Sequence, residues 1–133
     1  MTADVGRHSA VRPYWERNCM KPVRLFEGVR YVGEAEGDKR TYYVFESDDR
    51  YLVLGPTRDG YYVNLVDREA PAIISKAFSG QKVTSKLVTA KSRRPDIFHS
   101  PLATLNALYA MVALRRARKL KQRQGRSLVF KIS

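Results

Sequence analysis

Apolar positions in the first half of the chain fall in short runs, and beyond residue 67 they fall at helical spacing. RLFEGVRYVGEAE, RTYYVFES, RYLVLGP and GYYVNLVD are rich in Val, Tyr, Phe and Leu. Glu36-Gly37-Asp38, Ser47-Asp48-Asp49 and Pro56-Thr57-Arg58-Asp59-Gly60 separate them. Such runs between turn-forming residues predict strands. Their short connections predict an antiparallel meander of three or four strands over residues 23–66. Tyr42, Tyr43, Tyr51, Tyr61 and Tyr62 would pave a half-buried sheet, where tyrosine is favoured; the other use of such residues is a base-stacking platform. Residues 1–22 contain Pro13 and Pro22 and no period, and predict an irregular arm that Tyr14 and Trp15 would dock onto the body.

In DREAPAIISKAFSG, Ala70, Ile73, Ile74, Ala77 and Phe78 follow the i, i+3, i+4, i+7, i+8 spacing of an amphipathic helix, and Gly80 is a natural stop. KVTSKLVTAKS predicts a second, shorter helix capped by Thr84 or Ser85, with Val83, Leu87 and Val88 inward. Pro95 breaks the connector SRRPDIFH. Ser100-Pro101, a cap followed by proline at the first helical position, starts a third helix that runs to about Arg116. Its expected core side is Leu102, Leu105, Leu108, Tyr109 and Val112; its expected outer side is Ala103, Thr104, Asn106, Ala107, Ala110 and Met111. The last segment alternates again. Leu128, Phe130 and Ile132 share one strand face, and upstream Lys119, Lys121 and Arg123 alternate against Leu120. Gln124-Gly125-Arg126 joins the two runs tightly, which predicts a β-hairpin.

Charge follows the same division. The 133 residues carry a formal net charge of +12. Up to Ala70 there are 11 Lys+Arg against 12 Asp+Glu, and from Pro71 onward 14 against one, Asp96. A half of single sign reads as a binding face for a polyanion, nucleic acid before an acidic membrane surface. Cys19 stands alone, so neither a disulfide framework nor a cysteine zinc site forms within one chain. The N-terminus lacks a signal-like apolar core, and the apolar run 102–114 is too short to span a bilayer. A cytoplasmic, nucleoid-associated protein without a membrane role is expected.

Helix, short helix, longer helix and a basic hairpin with glycine at its tip is the order of a winged helix-turn-helix domain, which residues 67–132 resemble. KVTSKLV is similar to the opening of that superfamily's second helix, and LNALYAMVAL with RKLKQRQGRSLVFKI to its third helix and wing. The expected fold class is therefore α+β: a small N-terminal antiparallel β-sheet, then a C-terminal three-helix winged helix-turn-helix with a β-hairpin wing. The expected units are an irregular arm (1–22), a β module (23–66) and a nucleic-acid-binding module (67–133). The resemblance implies duplex DNA as partner, with core and binding face sharing the third helix.

On that reading the binding residues are Lys82 and Lys86 around the second helix, Arg93 and Arg94 in the connector, Arg115 and Arg118 after the third helix, and Lys119, Lys121, Arg123 and Arg126 on the wing. Thr104 and Asn106 are the only outer side chains of the third helix suited to base edges, so phosphate contacts should dominate. The expected function is a non-enzymatic transcriptional regulator or architectural factor. A homodimer or a protein partner would use the β module or the third helix. The alternatives are an RNA-binding accessory protein, and a nuclease or processing-complex subunit with Glu34, Glu36 and Asp38 as metal ligands. Those acids sit at a hairpin tip, where turns favour them. No catalytic residue, metal site or cofactor is predicted; His99 beside Ser100 reads as a helix-start residue.

Overall fold

The computed structural model describes residues 28–133. The expected arm (1–22) and the start of the β module at Val23 lie outside them. Strands β1 (Arg30–Glu36), β2 (Thr41–Glu46), β3 (Arg50–Thr57) and β4 (Gly60–Asp67) form a four-stranded antiparallel sheet in sequence order. The turns close at once: the Gly37 N–H donates to the Arg40 carbonyl and the Ser47 N–H to that of Arg50, each at 2.8 Å. Then come α1 (Ala70–Phe78), β5 (Lys82–Val83), α2 (Ser85–Lys91), α3 (Pro101–Ala113), β6 (Ala117–Gln124) and β7 (Ser127–Ile132). The second sheet is antiparallel, with β7 between β5 and β6.

Local chemistry sets the helix starts. Thr84 Oγ1 accepts the Leu87 N–H at 3.2 Å ahead of α2, and Ser100 Oγ accepts the Ala103 N–H at 3.1 Å ahead of α3. Each satisfies a donor that the first turn leaves without an intrahelical partner. After α1, Gly80 takes a φ of 75° and its N–H donates to the Ile132 carbonyl at 3.0 Å, which ties the end of the helix to β7.

The core forms around α3. Every residue from Asn106 to Met111 is buried, as is Thr104, so this stretch of the helix is enclosed around its whole circumference. Tyr109 packs against both sheets: its ring stacks on Tyr42 of β2 at 4.3 Å and meets Phe130 of β7 edge-on at 6.1 Å. At the C-terminal end, a Cβ on Gly33 of β1 would lie 3.2 Å from the Ala113 carbonyl oxygen. Bare strand backbone is what lets the helix approach there. On its other flank α3 meets α2, where the Thr89 and Thr104 hydroxyls lie 2.7 Å apart.

This arrangement corrects the expected fold class. The described chain is a strand-rich α+β structure with two antiparallel sheets, of four and three strands, and three helices. It is not a small sheet followed by a winged helix-turn-helix. The physical reason is α3. A helix used to read DNA must keep one side in water, and α3 buries its whole circumference from Asn106 to Met111. The assignment of its sides is corrected too. Ala107, Ala110 and Met111, expected outside, are buried, while Leu102, expected inside, is 62% exposed.

The two leucines make a direct test. Leu108→Ala, at a fully buried position, should cost on the order of 2–5 kcal/mol. Leu102→Ala should stay within about 0.5 kcal/mol. Denaturant unfolding of both variants checks this; equal losses would mean that α3 is not enclosed as described.

Candidate nucleic-acid interface

The cations of the second sheet are placed by strand register. Lys82 of β5 lies opposite Lys131 of β7, and Lys131 lies opposite Arg118 of β6. Directly opposed residues of antiparallel strands share a face. The three therefore form a row across the sheet, on the side away from Phe130 and Ile132, which point into the core. Lys131 Nζ donates to the Gly80 carbonyl at 2.7 Å, and Lys82 Nζ reaches Gln122 Oε1 at 3.5 Å. None of the ion pairs among the described residues involves these three side chains. Lys131 was not among the sequence-derived candidates. The signal that marks it is the two-residue strand Lys82–Val83, too short to read from a period.

The other candidates divide. Lys86, in the first turn of α2, is exposed beside a cleft of about 420 Å³ that Thr84, Leu87, Gln124 and Ser127 complete. Arg93 and Arg115 are exposed with φ of 59° and 62°, left-handed positions that end α2 and α3. Lys121 and Arg126 are exposed, and Arg126 follows Gly125 at the tip of the hairpin. Arg94 is engaged: its Nε and Nη2 bind the two Asp96 oxygens at 3.1 and 3.0 Å. That bidentate bond holds the Asp96 carboxyl below, and the Arg94 guanidinium above, its ordinary range. Arg123 pairs with Asp38 in the β1–β2 turn.

Two expectations are corrected here. Thr104 is fully buried: its hydroxyl pairs with that of Thr89 and lies 3.1 Å from the Ser100 carbonyl. Thr89 Oγ1 in turn lies 2.7 Å from the Ser85 carbonyl, so the two hydroxyls share their protons among each other and the carbonyls one turn back on their own helices. Asn106 is 4% exposed and its amide donates to the Leu102 carbonyl at 3.0 Å. Neither side chain can meet a base edge. Lys119 pairs with Phe130 and Arg123 with Leu128, so these two share a face as their spacing implies, but it is the core-side face of the hairpin, and Lys121 lies in the irregular stretch between them. Lys119 is half-buried as a result, and Arg123 turns toward Asp38.

The acids and tyrosines of the first sheet take separate roles. Glu34 accepts from Tyr31, Glu36 from Thr41, and Asp38 from Arg123, so the three carboxylates do not converge. No group of three or more metal-ligating side chains exists among the described residues. Tyr42 and Tyr62 share one sheet face across Gly55, where an added Cβ would lie 2.7 Å from the Tyr62 ring and 2.9 Å from that of Tyr42. Tyr43 and Tyr61 meet on the opposite face at 6.1 Å. Tyrosines split between two faces form no single stacking platform. Burial, reinforced by Tyr42 and then Tyr62 and Asp38, pushes the Tyr109 hydroxyl far above the usual tyrosine range; burial and Tyr62 raise Tyr42.

No family model, no curated protein and no solved structure matches the chain. No helix among the described residues is long and apolar enough to cross a membrane.

A tyrosine that ionises later in the folded than in the unfolded chain stabilises below the unfolded pKa, near 10, and loses that stabilisation as pH rises toward its folded pKa. Unfolding free energy should therefore fall above about pH 10, and Tyr109→Phe should flatten that decline. Thr104→Val should cost about 0.5–1.5 kcal/mol, the range of one internal hydrogen bond. It should leave nucleic-acid affinity unchanged in a gel-shift titration.

Proposed function

We propose that the protein binds duplex DNA through the outer face of the three-stranded sheet, holding phosphates rather than reading bases. The observation that carries this is the row Lys82–Lys131–Arg118. Like charges directly opposite one another destabilise a sheet. Here three stand side by side, and the one acid from Pro71 onward, Asp96, is already bound to Arg94. A phosphate backbone relieves that repulsion and releases its own counterions on binding. Lys86, on the adjoining helix, and Lys121, in the irregular stretch of β6, extend the cationic surface.

The buried state of Thr104 and Asn106 supports the second half of the reading. With these two enclosed, α3 offers no side chain for base edges, and cationic side chains alone position a duplex without specifying its sequence. An architectural factor, or a regulator that takes its specificity from a partner, fits this chemistry.

Salt titration is the decisive experiment. The full chain should lose affinity for duplex DNA linearly on a log–log scale, and scrambled duplexes should compete within about tenfold, far below the specificity ratios of base-reading proteins. The variant Lys82→Ala/Arg118→Ala/Lys131→Ala should lower the slope by about one unit for each phosphate it no longer neutralises, with folding intact. An unchanged slope and affinity would remove this face from the site. Tighter binding to structured RNA than to duplex DNA of the same length would move the proposal to RNA.

A further inference from the structure

A cleft of about 380 Å³ lies between the β1–β2 turn, helix α3 and the tip of the β6–β7 hairpin. It stands apart from the cation row, which lies on the other face of the second sheet. Four cations rim it: Lys39 and Arg40 from one hairpin, Arg123 and Arg126 from the other. One carboxylate, Asp38, shares the rim and is already bound to Arg123. Two of the four cationic groups are held in place. Arg40 Nη1 donates to the Pro56 carbonyl at 2.8 Å, and Arg123 is fixed by Asp38.

The floor is different in kind. Leu105 and Leu128 supply apolar surface, and beside them stand the stacked rings of Tyr42 and Tyr109, with an interplanar angle of 19°. The volume falls in the range of small-molecule sites, roughly 300–1,000 Å³. A phosphate on a duplex would meet the rim and leave the floor empty. A ligand that uses both has a flat apolar body and an anionic group at one end.

We propose that this cleft binds a free nucleotide, its phosphate on the cationic rim and its base over Leu105, Leu128 and the exposed part of Tyr42, whose ring is held in place by the stack on buried Tyr109. The phosphate competes with the Asp38 carboxylate for Arg123, so binding loosens the link between the two hairpins. Lys39, Arg40 and Arg126 carry no ion pair among the described residues, and of these Lys39 and Arg126 are not tied by the carbonyl bond that holds Arg40.

Calorimetric titration of the full chain with AMP and GMP tests this, with adenosine and inorganic phosphate as controls. Saturable binding of at least one nucleotide is expected, with both controls at least tenfold weaker. Lys39→Gln/Arg126→Gln should weaken nucleotide binding at least tenfold without changing thermal unfolding of the unliganded chain. Lys82→Ala/Lys131→Ala should leave it unchanged, so loss of duplex binding and loss of nucleotide binding are separable. Absence of saturable binding by both nucleotides would overturn the proposal, as would inorganic phosphate binding as tightly as AMP. Binding of a short single-stranded oligonucleotide more than tenfold tighter than AMP would also overturn it, by assigning the cleft to an unpaired base of a strand.

Discussion

The fold rests on enclosing the middle of α3, from Asn106 to Met111, on every side. A helix without a wet face must have each polar side chain satisfied from within, because an unmet donor or acceptor at such depth costs about 1–3 kcal/mol. α3 meets this in two ways. Asn106 folds back onto its own helix at the Leu102 carbonyl, and Thr104 shares a proton chain with Thr89. The remaining buried positions from Ala107 to Met111 are apolar apart from the Tyr109 hydroxyl. Tyr109 then joins the two sheets, since one ring meets Tyr42 on one side and Phe130 on the other. The small side chain of Ala113 allows the approach to β1 that Gly33 completes.

Electrostatics divides the molecule along the same line. In the first sheet, acids and arginines neutralise one another. Glu46 binds Arg30 at 3.4 Å and Arg68 at 3.0 Å, Asp49 binds Arg50 at 2.9 Å, and Arg68 also lies 4.8 Å from the centre of the Tyr51 ring. These are exposed or partly exposed pairs that orient side chains more than they stabilise the fold. Among the described residues, no such neutralisation occurs on the outer face of the second sheet. The chain thus carries a sheet whose charges pair among themselves and a cationic one, both packed on α3.

The local elements were legible because their signals are local. Ser100-Pro101 marks the start of α3, Thr84 caps α2, and the spacing of Ala70, Ile74 and Phe78 gives the buried side of α1. The tertiary placement was not legible in the same way. Leu102, Leu105 and Leu108 suggested a core side for α3, yet the run from Leu102 to Leu114 has no polar side wide enough to face water. That absence was the available sign of burial all round. The candidate site shows the same limit. A period of two along β6 assumes an unbroken ladder, and the irregularity between Lys119 and Arg123 depends on how β7 is met. The pairing of Asp38 with Arg123 spans 85 positions. Lys131 became part of the cation row only through the short strand β5.

The order β5–β7–β6 also carries a consequence for how the chain is made. The strand in the middle of the second sheet is the last of the three to leave the ribosome. Lys82 and Val83 must wait for Phe130 and Lys131, and β6 for the residues that follow Gly125. The four-stranded meander has only neighbouring strands to pair and can form early, but the surface that receives α3 stays uncovered until residues 101–113 emerge. Long-range pairing of this kind is slow, and apolar surface exposed in the interval invites association with other chains. The nascent protein is therefore most vulnerable while the segment from Pro101 to Ile132 is being synthesised, when one sheet is complete and the helix that joins it to the other has not yet been enclosed.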